Sequence, residues 1–248
     1  MKKYMIFGLL LVLLCCISVI FAQDEEPFEN PRYTDKHIEQ QERMLENLDT
    51  LFPRILLKET FDYGSAPEVL QMDGFSFSSQ NKSGRRELTI TAYRPSLFDD
   101  YNQGWDLFGT TGSYENFYLH INVQLIDQDD SNNGYCWFQY TDVDIVGADK
   151  RRAASIVFPV YIGSFETKPS KTEWTTYYDL VEFENDYEPH TLEMIRLNGY
   201  TSVFVDRHFI VGFKDGFPGR FHHIYGVGLY PGGEYVTYAF DNFIIRRQ

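Results

Sequence analysis

Cysteine is scarce in this chain. Of three in 248 residues, Cys15 and Cys16 fall in an apolar leader, and Cys136 is the only one beyond it. No intramolecular disulfide can form past the leader, so a bridge-stapled scaffold is excluded and stability has to come from a packed core. Basic charge is also short: 22 Lys and Arg stand against 36 Asp and Glu, a formal net charge of −14. That balance excludes a general nucleic-acid binder, whose footprint is basic. There is no internal repeat, no glycine-rich phosphate loop and no Ser/His/Asp motif. What is abundant is aromatic: 21 Phe, 18 Tyr and 3 Trp, in a chain that is 43% hydrophobic. Such a composition describes a globular protein, and the length supports one large core.

Residues 1–22 stand apart. Lys2 and Lys3 form a positive start, and Tyr4 to Ala22 carry no charge. This is the pattern of a secretory signal peptide cleaved after Ala22; an uncleaved signal anchor is the alternative, because the apolar run is nearly long enough to span a bilayer. Membrane association is expected only through such an uncleaved leader. Removing Lys2 and Lys3 leaves 20 basic against 36 acidic residues, a formal charge of −16, which keeps the remainder soluble and repelled by anionic membranes and polyanions. A secreted or cell-surface protein is expected.

Residues 23–53 read as an acidic linker followed by a helix. Asp24, Glu25, Glu26 and Glu29 with Pro27 and Pro31 make the linker. Ile38, Leu45, Leu48 and Phe52 recur at helical spacing over 34–51, and Pro53 ends the helix. From residue 54 the period changes to two. Phe117, Leu119, Ile121, Val123 and Leu125 alternate with Tyr118, His120, Asn122 and Gln124, the clearest strand in the chain. Leu88, Ile90 and Ala92 do the same, and shorter runs follow at 55–61, 134–141, 155–162, 175–183, 191–197, 202–205, 208–213, 224–230 and 235–245. Turn pairs such as Asp73-Gly74, Asn198-Gly199 and Asp215-Gly216 separate them. Many antiparallel strands on short turns mean an all-β sandwich or barrel, here one domain over 54–248.

The order of segments adds a resemblance. Leu57-Lys58-Glu59-Thr60-Phe61-Asp62 looks like an opening edge strand. The run 116–124 followed by Gly134-Tyr135-Cys136-Trp137-Phe138-Gln139-Tyr140-Thr141-Asp142 resembles the paired central strands of concanavalin A-like lectin/glucanase domains. Ser202-Val203-Phe204-Val205-Asp206, Gly226-Val227-Gly228-Leu229 and Phe240-Asp241-Asn242-Phe243-Ile244-Ile245 are similar to the laminin-G-like and 3-keto-disaccharide-hydrolase-like branches of that superfamily. Where those branches carry Asn-Gly after the Phe-Val pair, this chain has Asp206-Arg207. The resemblance implies a jelly roll of two curved antiparallel sheets whose concave outer face binds or cleaves glycans in many members and serves adhesion in others.

No hydrolase motif is intact, so no catalytic residue is assigned. Laminarinase-type members place acids at alternate strand positions. Asp142 and Asp144 match the first two, but Gly147 stands where the last acid belongs. Glu182, Glu184 and Asp186 have the spacing but lie in an acidic, turn-like stretch. Asp129, Ser131, Asn133 and Gly134 match the opening of a calcium loop, yet Tyr140 occupies its closing position, and a polar hairpin turn accounts for the same residues. No metal ligand set or cofactor is expected; calcium is the one ion with any signal. His222-His223 diverge on a strand, and Cys136, on the core side with Phe138 and Tyr140, reads as an inert thiol. Asn81-Lys82-Ser83 is a glycosylation sequon. If Cys136 and Phe138 point inward, Tyr135, Trp137, Gln139 and Thr141 point outward. Aromatic rings stack on sugar faces while Gln orients hydroxyls, so Tyr135, Trp137 and Gln139, flanked by Trp105 and Trp174, form the expected carbohydrate-binding set; core or edge packing of the tryptophans is the alternative. The leading expectation is a secreted, non-catalytic carbohydrate-binding or adhesion module. A glycoside-cleaving enzyme and a structural envelope protein are the alternatives.

Overall fold

The computed structural model describes residues 29–61, 75–82, 85–93, 105–130, 134–143, 151–168, 171–183, 186–217 and 221–248. The leader, residues 62–74 and 94–104, and the stretch carrying Asp144 and Gly147 lie outside them, as do Ser131 to Asn133 and Glu184. No helix among the described residues is long and apolar enough to cross a membrane.

The first elements among the described residues are helix α1 (Asp35–Glu46) and a short α2 (Leu48–Leu51). Thr34 caps α1 by accepting from the His37 amide at 3.3 Å. The single helix read over 34–51 is therefore interrupted at Asn47. Among the described residues fourteen strands follow: β1 (Arg54–Glu59), β2 (Phe75–Lys82), β3 (Arg85–Tyr93), β4 (Trp105–Tyr114), β5 (Phe117–Gln128), β6 (Tyr135–Val143), β7 (Arg151–Phe158), β8 (Tyr161–Lys168), β9 (Lys171–Asp179), β10 (His190–Leu197), β11 (Tyr200–Val205), β12 (His208–Lys214), β13 (Phe221–Tyr230) and β14 (Tyr235–Arg247). All described pairings are antiparallel. Sheet A runs β12-β11-β10-β5-β14-β3-β2, with β1 also paired to β14; sheet B runs β4-β13-β6-β7-β8-β9. The two form an antiparallel sandwich of the jelly-roll kind.

The period-two residues fill the space between the sheets. Phe117, Leu119, Ile121, Val123 and Leu125 from sheet A meet Cys136, Phe138 and Tyr140 from sheet B, all at most 2% exposed. Burial raises the Cys136 thiol far above its ordinary range, which keeps it protonated and inert. The run 155–162 is not one strand. Pro159 and Val160 turn the chain between β7 and β8, with the Val160 amide donating to the Val157 carbonyl at 2.7 Å. Proline lacks the amide that a continuing ladder needs. Strand β4, rich in Thr and Gly, has no sustained apolar alternation to announce it, and in β2 the alternation is confined to Phe75 and Phe77.

Helix α1 lies on the outer face of sheet A. Leu45 and Phe52, with Ile38, Met44 and Leu48, pack on Tyr118, Ile195, Phe204 and Phe209 in a second apolar cluster. Gln41 is buried there and accepts from Ser202 Oγ at 2.7 Å. Ahead of the helix, Asn30 pairs with both backbone groups of Asp179 on β9, at 2.7 and 3.0 Å. Tyr33 Oη reaches both backbone groups of Gly212 on β12, at 3.3 and 3.4 Å. The segment before α1 thus ties the edge strand of each sheet.

Candidate functional site: an aromatic face on sheet B

Strand β6 decides which side chains face out. Cys136, Phe138 and Tyr140 are fully buried, and Tyr135, Trp137 and Gln139 between them are half-buried on the outer face. The ladder sets their neighbours. Trp137 lies opposite Gly228 on β13 and Val157 on β7, and Val157 lies opposite Tyr161 on β8. Tyr135 pairs with Tyr230, and Gln139 with Ser155. Residues that face each other across a ladder share a face, so one surface carries Tyr230, Tyr135, Trp137 and Tyr161.

The rings meet in two sets. Tyr135 and Tyr230 stack at 4.8 Å between centroids, and Tyr135 meets Trp137 at 6.4 Å. Tyr161 meets Trp174 of β9 edge-on at 6.4 Å. Trp174 is 58% exposed, so its ring stands at the outer margin of this face. Gly228 explains how Trp137 lies. A Cβ at Gly228 would stand 2.0 Å from Cε2 of Trp137, so the indole occupies the volume a side chain there would need. Any larger residue would displace the ring. Gln139 is held by Ser155, whose Oγ donates to Gln139 Oε1 at 3.1 Å.

The hydroxyls of the platform are electrostatically linked. Burial, then the nearby Tyr161 and Tyr230, push the Tyr135 hydroxyl up to about 12. Burial also raises Tyr161. Both stay protonated donors at any physiological pH.

Of the expected set, the structure brings together Tyr135, Trp137 and Gln139 on one strand and Trp174 on β9 at the sheet margin. Trp105 is the first residue of β4, the opposite edge strand, in register with Leu229. Tyr161, Tyr230 and Gly228 were missed in the sequence. Each has the right strand parity, but only the order β13-β6-β7-β8-β9 makes them neighbours of Trp137. Of the acidic sets, Glu182 is exposed on a 3-10 turn (Val181–Phe183), and Asp186 Oδ2 lies 3.3 Å from His190 Nε2. Among the described residues no group of three His, Cys, Asp or Glu is placed to hold a metal ion.

No protein-family model matches the chain, and no curated protein does. Solved structures do. The carbohydrate binding module CBM66 from Bacillus subtilis is similar over 71% of this chain and 97% of that one, at 10% identity and a TM-score of 0.40. Bacillus licheniformis beta-glucanase is similar over 77% of this chain and 97% of that one, at 13% identity and a TM-score of 0.47. The Caenorhabditis elegans galectin LEC-6 is similar over 61% and 94%, at 12% identity and a TM-score of 0.36. The likeness is one of fold; the antiparallel two-sheet jelly roll expected from the sequence is the architecture of the described residues.

Proposed function

We propose that the outer face of sheet B binds a neutral glycan chain in the extracellular space, without cleaving it. The observation that carries this reading is the aromatic row itself: Trp137 over Gly228, Tyr135 stacked on Tyr230, and Tyr161 against Trp174, with Gln139 beside them. The row runs across the strands. From β13 to β9 it crosses four strand spacings, roughly 19 Å, which favours an extended oligosaccharide over a single sugar. Pyranose C–H faces stack on the rings, while the Tyr135 and Tyr161 hydroxyls and the Gln139 amide meet sugar hydroxyls. The net charge of −14 opposes anionic polysaccharides, so the ligand is neutral.

The test is affinity electrophoresis and calorimetry of the purified protein against neutral β-glucans, xylan, mannan and levan. Burying one aromatic face is worth about 1.5–3 kcal/mol, so Trp137→Ala is expected to weaken binding by roughly ten- to a hundredfold. The melting temperature should change little. Binding that survives Trp137→Ala unchanged, or no binding to any polymer, removes this reading.

A further inference from the structure

One edge strand of each sheet lies on the same side of the sandwich. Strand β12 ends the order of sheet A, and β9 ends that of sheet B. The two meet there, with the Tyr177 and Phe213 rings stacked at 4.0 Å between centroids. An edge strand presents a row of unpaired backbone groups, a template for another chain. Strand β12 is an unfavourable one to leave bare. Its middle, Phe209-Ile210-Val211-Gly212-Phe213, is apolar, uncharged and free of proline. Such a segment on a sheet edge is an aggregation hazard.

Three side chains from the segment that precedes the strands sit on these two edges. Tyr33 Oη donates to the Gly212 carbonyl at 3.4 Å and accepts from the Gly212 amide at 3.3 Å. Glu42 Oε1 accepts from the Phe209 amide at 3.3 Å. Asn30 treats β9 as Tyr33 treats β12. It donates to the Asp179 carbonyl at 3.0 Å and accepts from the Asp179 amide at 2.7 Å. A residue whose amide and carbonyl both point off the edge is set for a hydrogen-bonded antiparallel pair. Asn30 and Tyr33 therefore each occupy the place of a neighbouring strand. The Tyr33 ring is steadied by stacking on His37 at 5.1 Å and by an edge-on contact with Phe209 at 5.0 Å.

These bonds are not what holds helix α1 to the sheet. The apolar cluster around Leu45 and Phe52 does that, together with Gln41 on Ser202. The bonds from Tyr33 and Glu42 are also long, each at 3.3 Å or more, so they add little stability. What they share is position: each closes a backbone group through which β12 could accept another strand.

We propose that residues 30–42 guard the β12 edge against a second copy of this chain. Two copies freed of the guard join antiparallel through β12, about a twofold axis at Gly212. The two Gly212 residues then exchange both of the bonds that Tyr33 now takes, and sheet A continues from one molecule into the next. An antiparallel strand edge is complementary to itself, as a twofold contact requires. The inference does not use the aromatic face of sheet B and stands or falls apart from it.

The experiment is sedimentation equilibrium of the full chain, with amide hydrogen exchange on the same samples. The parent is compared with Tyr33→Phe and with the triple variant Asn30→Ala, Tyr33→Phe, Glu42→Ala. Weakening the guard raises the fraction of molecules with an open edge, and the association constant rises by the same factor. Roughly fivefold is expected for Tyr33→Phe and roughly a hundredfold for the triple variant, at one hydrogen bond's net worth per side chain. The Gly212 amide should exchange slowly in the dimer and fast in the variant monomer. Tyr33→Phe decides the matter if the triple variant does not fold, because its ring keeps the contacts with His37 and Phe209. The proposal is overturned if a folded variant associates no more than the parent, or if Gly212 exchanges freely in the dimer. A merely stabilising role predicts a lower melting temperature with unchanged association. Trp137→Ala should associate as the parent does.

Discussion

Replacing Asp215 by alanine tests the energetics of the core most sharply. Asp215 follows β12, and its carboxylate is fully shielded from solvent, as is the Arg196 side chain that reaches it from β10. Arg196 Nε donates to Asp215 Oδ2, and Nη2 donates to Oδ1 at 3.2 Å. The same carboxylate accepts from Tyr140 Oη of sheet B at 2.8 Å, from Thr201 Oγ1 at 3.3 Å and from the Phe217 amide at 3.0 Å. Arg196 also donates to the Glu115 and Phe217 carbonyls. Asp215→Ala removes the counter-charge of a buried guanidinium and an acceptor shared by Tyr140, Thr201 and the Phe217 amide. Breaking one partner of such a pair costs about 3–5 kcal/mol. Against a total of roughly 5–15 kcal/mol, that is a large share. For a domain of this size it lowers the melting temperature by roughly 6–20 °C. Urea unfolding followed by tryptophan fluorescence and circular dichroism reads the loss directly. The double change Arg196→Met with Asp215→Leu should recover most of it, since removing both charges also removes their desolvation. If Asp215→Ala costs less than about 1 kcal/mol, the pair is wet in solution and the network does not join the sheets.

Two other outcomes follow from the aromatic face. Gly228→Ala forces the Trp137 indole off the sheet, because the new Cβ would stand 2.0 Å from Cε2; polysaccharide affinity should fall nearly as far as in Trp137→Ala, with a stability loss of about 1–3 kcal/mol, and unchanged affinity would mean the flat ring is irrelevant. The Tyr135 hydroxyl, raised to about 12 mainly by burial, keeps its proton in the folded state at pH values where an unfolded tyrosine, near 10, has lost it. The native state then binds more protons than the unfolded one, so Tyr135 contributes stability that is complete below pH 10 and lost as pH rises from 10 towards 12. Chemical denaturation across that range should show a shallower alkaline loss in Tyr135→Phe than in the parent; identical slopes would place Tyr135 in water.

Much of this was legible in the residues, and the exceptions have physical reasons. Phe117 to Leu125 alternate so regularly that only a strand with one buried face fits, and the structure gives β5. The same parity on β6 put Tyr135, Trp137 and Gln139 on the outer face. The companions Tyr161 and Tyr230 were not readable as such, because parity says which side a residue faces but not which strands are adjacent. The run 155–162 hid a strand boundary at Pro159, since apolar residues continue on both sides of the turn. Arg196 shows a signal that was present and unused. It shares parity with Leu192 and Met194, and an arginine at an inward position requires a buried acid. Asp215, 19 residues on, ends a strand whose alternation also points inward.

The use made of α1 bears on where binding can occur. An amphipathic helix can bury its apolar side on its own domain or on a partner. Helix α1 lies on sheet A, where Tyr118, Ile195, Phe204 and Phe209 are all at most 7% exposed beneath it. Covering four such side chains is worth about 1.5–3 kcal/mol each, far more than one helix of twelve residues gains by its own propensity. The outward side of sheet A is therefore divided. Its apolar part is covered by the helix; of the polar residues beside it, Glu193 is buried and the His120 side chain is 16% exposed. Sheet B keeps its rings at the surface: Trp174 is 58% exposed and Tyr135, Trp137 and Tyr161 are half-buried. A chain that roofs one apolar surface with its own helix yet leaves a row of aromatic rings in contact with water maintains that row at a cost in solubility. The proposed ligand, with alternating apolar faces and hydroxyls, fits such a surface.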